Sequence, residues 1–234
     1  MKKARSRQAF PDPATENVDW FLYTMTKLII VGSGSQARYA IEIAAGQQKY
    51  TIAGIADLEN PANIGKVVNG HPIVCMWDQL STPYSVSEYQ LVVAIGNNRK
   101  KRDVCRHLAE QGYAFATLVS RAAYVAGFTE IGQGTIINPM AAIMPNAKIG
   151  NHVIVHSQAV VEHDNLIGNY VNIAPGVSLG GNVSIGEGAY IYTGASVIPK
   201  KSIGDWAVVG AGALVLDHVP DGSTVVGVPA KAIH

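Results

Sequence analysis

The pattern of hydrophobic and polar positions changes its period near the middle of the chain. In the first half, short aliphatic runs alternate with stretches of helical composition. The pattern predicts strands at 27–32, 50–57 and 90–96 and helices at 36–48 and 98–111. Such alternation is typical of a small parallel α/β sheet. With three predicted strands, this sheet forms only half of a complete dinucleotide-binding fold.

In the second half, an aliphatic residue recurs at every sixth position. Sixteen consecutive Val, Ile or Leu residues run from Val125 to Val215 in steps of six. Four positions after each of them, Ala, Val or Thr fills fourteen of sixteen places, with Asn165 and Lys201 as the exceptions. An Ile-Gly pair also recurs every eighteen residues from Ile131 to Gly204. No helix has a period of six, so we expect a triangular prism of short strands and tight turns, three hexapeptides to a coil.

Composition narrows the class of protein. The 234 residues are 48% hydrophobic and 15% charged, which is typical of a globular protein with room for two domains. The net charge is only +1, and the Lys and Arg residues are scattered along the chain, so there is no basic patch for binding nucleic acid. No apolar run approaches the roughly 18 residues of a membrane span. Cys75 and Cys105 match neither a disulfide framework nor a metal spacing, which indicates reduced core thiols and a cytoplasmic protein.

The change of period predicts the domain boundaries. Residues 1–24 are basic but lack the apolar segment of a signal peptide, so we expect a flexible leader, with Met25 as an alternative start. An α/β domain is expected over 25–117 and the prism over 118–234.

The chain resembles a known family in several motifs. They are the hexapeptide series over 119–219, the ending DGSTVVGVPAKAI and the run VVEHDNLIGNYVNIAPGVSLGGNVSIGEGAYI, all behind an α/β domain. Together they resemble the sialic acid O-acetyltransferase and nucleotide-amino-sugar N-acetyltransferase family. The resemblance covers residues 25–234 and implies a Rossmann-like domain followed by a left-handed parallel β-helix. It also implies a homotrimer that uses acetyl-CoA and a nucleotide-linked sugar.

An imidazole lies between two carboxylates in the stretch VVEHDNLIG, where Glu162 and Asp164 flank His163. Acetyl transfer to an amine requires a proton acceptor, and a neutral histidine oriented by a carboxylate is suited to that role. His163 stands third in its hexapeptide, so it should point out of the prism. Eighteen residues further on, Gly180 and Gly181 should leave a notch with backbone groups open to an oxyanion. The alternative is a solvated corner whose charges aid solubility.

Other positions bear on the same chemistry. The resemblance implies that the place of His156 faces the sugar. Family members often carry a second histidine in the segment NYVNIAPG, where this chain has Asn172, which leaves His163 as the sole candidate base. No serine or cysteine beside His163 stands out as a nucleophile, so we expect direct attack without an acyl-enzyme.

A glycine turn after the first strand indicates a nucleotide site. GSGSQARYA fits G-x-G-x-x-A before a helix, which can receive phosphate or sugar oxygens, and Asp57 follows where a ribose-binding acid would lie. NAD is an alternative ligand, but the domain lacks the second half of a dinucleotide-binding fold, which argues against it. The resemblance favours a nucleotide-linked sugar, with Asn97 beside the base. The family more usually has glycine-histidine-glycine in this turn, which bears on the preferred sugar or nucleotide. The expected substrate contacts are thus Gly32, Ser33, Gly34, Ser35, Gln36, Asp57, Asn97 and His156.

The resemblance also implies where coenzyme A lies. Its arm would run between neighbouring subunits and end near the C-terminal GVPAK, with contacts at Gly181, Thr193, Gly194, Gly210, Ala211 and Lys231. Repeat geometry alone also requires glycines at such turns. Lys201 indicates a local bulge or a phosphate contact. No cluster has metal-ligand spacing, so no metal is expected.

These observations favour an acetyl-CoA-dependent N-acetyltransferase acting on a nucleotide-linked amino sugar, with a 4-amino-4,6-dideoxy sugar as the expected acceptor. Two alternatives stay open. One is O-acetylation of sialic acid or another sugar. The other is a non-catalytic solenoid whose α/β domain senses a nucleotide.

Overall fold

The computed structural model describes residues 25–233, so the leader predicted for 1–24 lies outside the described residues. The first part of the described chain is an α/β domain. Its elements are β1 Thr26–Val31, α1 Ser35–Gln47, β2 Tyr50–Asp57, β3 Val67–Val68, β4 His71–Met76, β5 Tyr89–Val93, α2 Asn98–Glu110 and β6 Ala114–Phe115. Neither helix is long and apolar enough to cross a membrane.

The sheet of this domain has six strands in the order β3-β4-β2-β1-β5-β6, parallel except for the β3–β4 pair. The three predicted strands and both predicted helices are confirmed. The count of three strands was wrong, because β3, β4 and β6 lie outside the segments predicted as strands. The β3–β4 hairpin turns at Asn69 and Gly70, which both have positive φ, as a type I′ turn requires.

The strand order places a ligand site at one edge of this sheet. The order reverses between β1 and β5, and open parallel sheets bind ligands beyond the carboxyl ends of the strands at such a point. The segments that follow these two strands begin at Gly32 and Ala94. Only α2 and the two-residue β6 follow β5, so the second half of a dinucleotide-binding fold remains incomplete.

The second part of the chain is a β-helix with three faces, each a sheet of mainly parallel short strands. The first face holds β7 Leu118–Val119, β10 Ile136–Ile137, β13 Ile154–Val155, β16 Asn172–Ile173, β19 Tyr190–Ile191, β22 Val208–Val209, β24 Thr224–Val226 and β25 Lys231–Ala232. The second holds β8 Tyr124–Val125, β11 Ala142–Ile143, β14 Val160–Val161, β17 Ser178–Leu179, β20 Ser196–Val197 and β23 Leu214–Val215. The third holds β9 Glu130–Ile131, β12 Lys148–Ile149, β15 Leu166–Ile167, β18 Ser184–Ile185 and β21 Ser202–Ile203.

The observed pairing confirms the repeat. Successive strands of a face pair residues eighteen apart, as Ile136 with Ile154, and only β25 runs antiparallel to its neighbour. Of the sixteen aliphatic residues in steps of six, all are buried except the first two, Val125 and Ile131, which are partly buried. Each buried aliphatic side chain stabilises the fold by roughly 1.5–3 kcal/mol before chain entropy is counted.

Close backbone packing explains the Ile-Gly pairs at eighteen-residue spacing. A Cβ atom built on Gly132 would lie 2.6 Å from the backbone of Gly150, and one on Gly150 would lie 2.8 Å from that of Gly168. A side chain at these positions would therefore force adjacent coils apart. The bulge considered at Lys201 is not present, because Ser184 pairs with Ser202 in regular register.

The α/β domain covers the first face of the β-helix. Leu118, Ile136 and Ile154 on that face share one apolar cluster with residues of α1 and β1. Two amides join the parts further along the face. Asn98 Nδ2 donates to the carbonyl oxygens of Gly188 and Ala189, each at 3.1 Å, and Asn172 Nδ2 donates to that of Gly96 at 2.8 Å.

Candidate active site

The predicted trio lies at a corner of the β-helix. His163 follows β14 and precedes β15, so it stands between the second and third faces, with its side chain exposed as predicted. His163 Nδ1 lies 2.7 Å from Asp164 Oδ2, and Asn146 Nδ2 donates to Asp164 Oδ1 at 3.2 Å. The hydrogen bond from His163, followed by that from Asn146, lowers the pKa of Asp164. An ionised Asp164 holds the proton on Nδ1 and leaves Nε2 as the acceptor.

The two carboxylates of the trio have different roles in this geometry. Glu162 Oε2 accepts the backbone N–H of His163 at 3.2 Å and makes no hydrogen bond to the imidazole. The ring is therefore oriented by Asp164 alone.

The notch expected beside Gly181 exists, but the imidazole itself occupies it. A Cβ atom built on Gly181 would lie 2.5 Å from His163 Nε2 and 2.6 Å from Cε1. The notch expected at Gly180 is closed, because a Cβ there would lie 2.7 Å from the ring of Pro199. The glycine at position 181 thus makes room for the histidine.

A groove of about 670 Å³ runs between the α/β domain and the first face of the β-helix. It lies at the predicted ligand edge of the sheet, and its α/β wall includes Gly32, Gly34, Ser35, Gln36 and Asn97, all predicted from the sequence. Helix α1 begins at Ser35 without a side-chain cap, so its first N–H groups are open to a ligand.

Asp57 does not line the groove. It is 2% exposed, and its oxygens accept hydrogen bonds from Ser33 Oγ, the backbone N–H groups of Glu59 and Asn60, and Asn63 Nδ2. Burial would raise the pKa of Asp57, but these four hydrogen bonds hold it well below its usual range. A carboxylate has about four acceptor positions, so none remains for a ribose hydroxyl. The ribose contact predicted for Asp57, and the direct contact predicted for Ser33, therefore have no support in this geometry.

His156 also lies away from the groove. It is 8% exposed and packs edge-on against Tyr39, with the ring centroids 6.5 Å apart. Burial, followed by the charge of Lys101, lowers the pKa of His156 to about 4. The ring is therefore neutral at physiological pH, and its surroundings are those of a packed side chain.

The groove is also lined by residues that the sequence analysis missed. They come from the β-helix and from the start of α2, and they are Arg99, Gly188, Tyr190, Tyr192, Trp206 and Val208. The guanidinium of Arg99 lies 4.6 Å from the centre of the Trp206 ring. Tyr190 and Tyr192 stack with their ring centroids 4.2 Å apart. No local motif indicates these residues, because the fold brings them together from distant parts of the chain.

The groove and His163 lie on different sides of the β-helix. The groove lies over the first face, whereas His163 stands at the corner opposite that face, between the second and third. Within one chain, the candidate base is therefore not brought to the groove.

The residues predicted to contact coenzyme A divide between two corners. Thr193, Gly194, Gly210 and Ala211 follow strands of the first face and precede strands of the second, whereas Gly181 lies beside His163. Lys231 is exposed in β25. Gly194 has a φ of 70°, and a Cβ on Gly210 would lie 2.7 Å from Val226 Cγ1, so the repeat also needs glycine at these two positions.

Within residues 25–233, no group of three or more His, Cys, Asp or Glu side chains is placed to hold a metal ion. Cys75 and Cys105 are free and buried, as expected of core residues.

The chain combines a hexapeptide β-helix, a groove between it and an α/β domain, and a histidine oriented by a carboxylate at one corner. This combination is typical of hexapeptide acyltransferases. Comparison with family models agrees with this class. Residues 27–108 match the PglD N-terminal domain, and residues 128–163 match the bacterial transferase hexapeptide with six repeats. A search of curated proteins gives no match.

Several solved structures match most of the chain. The acetyltransferase domain of PglB from Neisseria gonorrhoeae FA1090 is 33% identical, with a TM-score of 0.83 over 89% of this chain and 100% of that one. Its complex with acetyl coenzyme A matches at 32% identity, a TM-score of 0.82 and the same coverage. PerB from Caulobacter crescentus, solved with CoA and GDP-perosamine, is 31% identical, with a TM-score of 0.81 over 89% of this chain and 97% of that one.

The chain belongs to the nucleotide-sugar N-acetyltransferase family of hexapeptide proteins that these structures represent. Membership confirms the predicted fold class, a left-handed β-helix behind a Rossmann-like domain, and the prediction that the chain is an acetyltransferase.

Proposed function

We propose that the chain transfers the acetyl group of acetyl-CoA to the amine of a nucleotide-linked 4-amino-4,6-dideoxy sugar, with His163 as the general base. The observation that carries this proposal is the His163–Asp164 pair, which leaves Nε2 as the free acceptor at an exposed corner. The relatives solved with acetyl coenzyme A and with CoA and GDP-perosamine support both substrate classes.

The reaction needs one base and no protein nucleophile. The lone pair of the sugar amine attacks the thioester carbonyl carbon, a C–N bond forms, and the carbonyl oxygen takes negative charge. His163 Nε2 accepts the proton that the amine loses, and Asp164 stabilises the resulting imidazolium. The C–S bond then breaks, and the CoA thiolate leaves and receives that proton. A base of this kind contributes about 10²- to 10⁴-fold to the rate.

The site is complete only when two copies of the chain meet. The groove lies over the first face, and His163 stands at the opposite corner of the same β-helix. In a trimer with cyclic symmetry, the corner that carries His163 can face the groove of a neighbouring subunit. We therefore propose a homotrimer whose three sites each take the sugar from one subunit and the base from the next. Coenzyme A would lie between them, along the corner of Thr193, Gly194, Gly210 and Ala211.

The test is release of CoA thiol from acetyl-CoA with a panel of UDP-, GDP- and dTDP-linked 4-amino sugars. Wild type should turn over at least one of them, and His163→Ala should lose at least about 10²-fold in kcat. Each amino sugar is paired with its 4-hydroxy analogue, because O-acetylation would favour the analogue. Unchanged turnover by His163→Ala, or turnover of the hydroxy sugars alone, would overturn the proposal.

A further inference from the structure

Arg99 is the one charged residue among the described residues that line the groove. The remaining lining residues are apolar, aromatic or neutral polar, and no carboxylate is among them. The uncapped start of α1 adds partial positive charge at Ser35 and Gln36. The groove therefore favours an anion, and a side chain that can hold one stands at its wall.

The basic residues on the same helix are already paired or buried, unlike Arg99. Lys100 Nζ lies 2.6 Å from Glu59 Oε1, and Arg102 bonds Asp103 Oδ1 through Nε and Nη2 at 2.9 and 2.8 Å. Arg106 approaches Glu187 at 3.8 Å, and Lys101 is fully buried. Among residues 25–233, Arg99 has no carboxylate within ion-pair distance. Its guanidinium donors are thus free for a ligand.

Trp206 fixes the position of this free guanidinium. Arg99 lies 4.6 Å from the centre of the indole ring, and Arg102 lies 4.8 Å from it. The ring in turn fits over Gly188, where any Cβ would collide with it. A guanidinium stacked on an aromatic face keeps its edge free to donate hydrogen bonds, so less freedom is lost when a phosphate binds.

We infer that Arg99, held on Trp206, binds the phosphate groups of the nucleotide substrate, with Trp206 as its positioning residue. This inference rests on the proposed function, because it assumes a nucleotide-linked acceptor in the groove. It places the diphosphate between Arg99 and the start of α1, and leaves the aromatic side chains Tyr190 and Tyr192 for the sugar end.

The experiment is calorimetric titration of the full chain with UDP, GDP and dTDP, each beside its nucleoside. Wild type should bind at least one diphosphate more tightly than its nucleoside. Arg99→Met should weaken that diphosphate by about tenfold to a hundredfold and leave the nucleoside unchanged. Arg102→Met is the matched control, since Arg102 also lies against the Trp206 ring but is paired with Asp103, and it should change the diphosphate affinity less than twofold.

Trp206 is tested through its coupling to Arg99. Trp206→Leu should lower the affinity for the diphosphate. Arg99→Met should then lower this affinity by a smaller factor in the Trp206→Leu background than in wild type. Equal losses in both backgrounds would remove the positioning role. Equal diphosphate affinity of Arg99→Met and wild type would overturn the inference while leaving the proposed function intact. Failure of wild type to bind any of the diphosphates would overturn the proposed function itself.

Discussion

The imidazole of His163 fills the space that a side chain on Gly181 would need. The missing Cβ at 181 would lie 2.5 Å from Nε2, the atom proposed to accept the proton. The glycine in the next coil therefore leaves room for the ring, while Asp164 in the same coil orients it.

Gly181→Ala should lower kcat by about tenfold or more, because the added methyl must displace the ring from its place beside Asp164. Gly127→Ala is the matched control: it occupies the same corner three coils earlier, and a Cβ there meets nothing within 4 Å. Steady-state kinetics with both variants, together with their unfolding midpoints, make the comparison. A Gly181→Ala enzyme as active as Gly127→Ala would show that ring position is not critical.

Asp164→Asn should lower kcat by about 10²-fold with little change in KM. An amide in place of the carboxylate can donate to Nδ1, which moves the ring proton to Nε2 and removes the acceptor. The pKa of Asp164 is lowered chiefly by the hydrogen bond from His163. The carboxylate is therefore ionised at neutral pH, and its protonation does not affect the rate in that range. Nitrogen-15 NMR of the histidine ring reports the tautomer directly. An unchanged tautomer with reduced kcat would contradict this account.

The sequence predicts the β-helix well because its signal is local and repeated. Each position in steps of six has the same environment, so Ile137 and Val209 carry the same information, and errors at single residues do not accumulate. The β3–β4 hairpin was missed because β3 has only two residues and β4 contains Pro72, although Asn69-Gly70 is a hairpin signal. The hydrogen bonds that occupy Asp57 could not be predicted, because its partners come from loops on both sides of it.

The stacking of Arg99 on Trp206 could not be predicted, since it depends on how the α/β domain docks on the first face. The same docking buries Lys101. In the sequence of α2 this lysine lies among other basic residues, and no local pattern distinguishes it from them. Local patterns indicate which residues are solvent-facing in an isolated helix, but not which of them a second domain will cover.

The stability of the protein should rise with pH between 7 and 8.5 because of Lys101. Burial lowers its pKa to about 7, and the ionisable groups that interact with its charge are the buried thiol of Cys105 and the buried rings of His152 and His156. The unfolded chain binds a proton at Lys101 up to about pH 10.4, so it holds more protons than the folded chain in this window. Lys101 alone should therefore increase the stability by roughly 1–2 kcal/mol over this range. The buried thiols of Cys75 and Cys105 oppose part of this gain towards pH 8.5, because burial raises their pKa and only the unfolded chain then loses their protons.

Urea unfolding at pH 7.0, 7.75 and 8.5 measures this slope. Lys101→Met should flatten it, whereas Lys100→Met, which removes an exposed lysine paired with Glu59, should leave it unchanged. His152 and His156, with pKa values lowered to about 4 by burial, should add a separate loss of stability as the pH falls from 6.5 towards 4. A Lys101→Met slope equal to that of wild type would show that this lysine is not buried in solution.

If the proposed trimer forms, assemblies that mix two inactive variants should recover activity. His163→Ala removes the base, and Gly34→Glu places a negative charge in the groove at a position with open space around it. A His163→Ala subunit keeps an intact groove, and a Gly34→Glu subunit keeps an intact His163. If each site combines the groove of one subunit with His163 of the next, an intact site forms wherever the first kind of subunit is followed by the second. Random mixing in equal amounts makes about one quarter of the sites intact.

Co-expression of the two variants with different tags, followed by sequential affinity purification, isolates the mixed assemblies for the thiol-release assay. Their turnover should approach about one third of wild type, because every trimer that contains both variants has one intact site among three. Each variant alone, and the two purified separately and mixed without subunit exchange, should stay inactive. Mixed assemblies without activity would place His163 and the groove in one and the same subunit, and a monomeric solution mass would exclude a shared site.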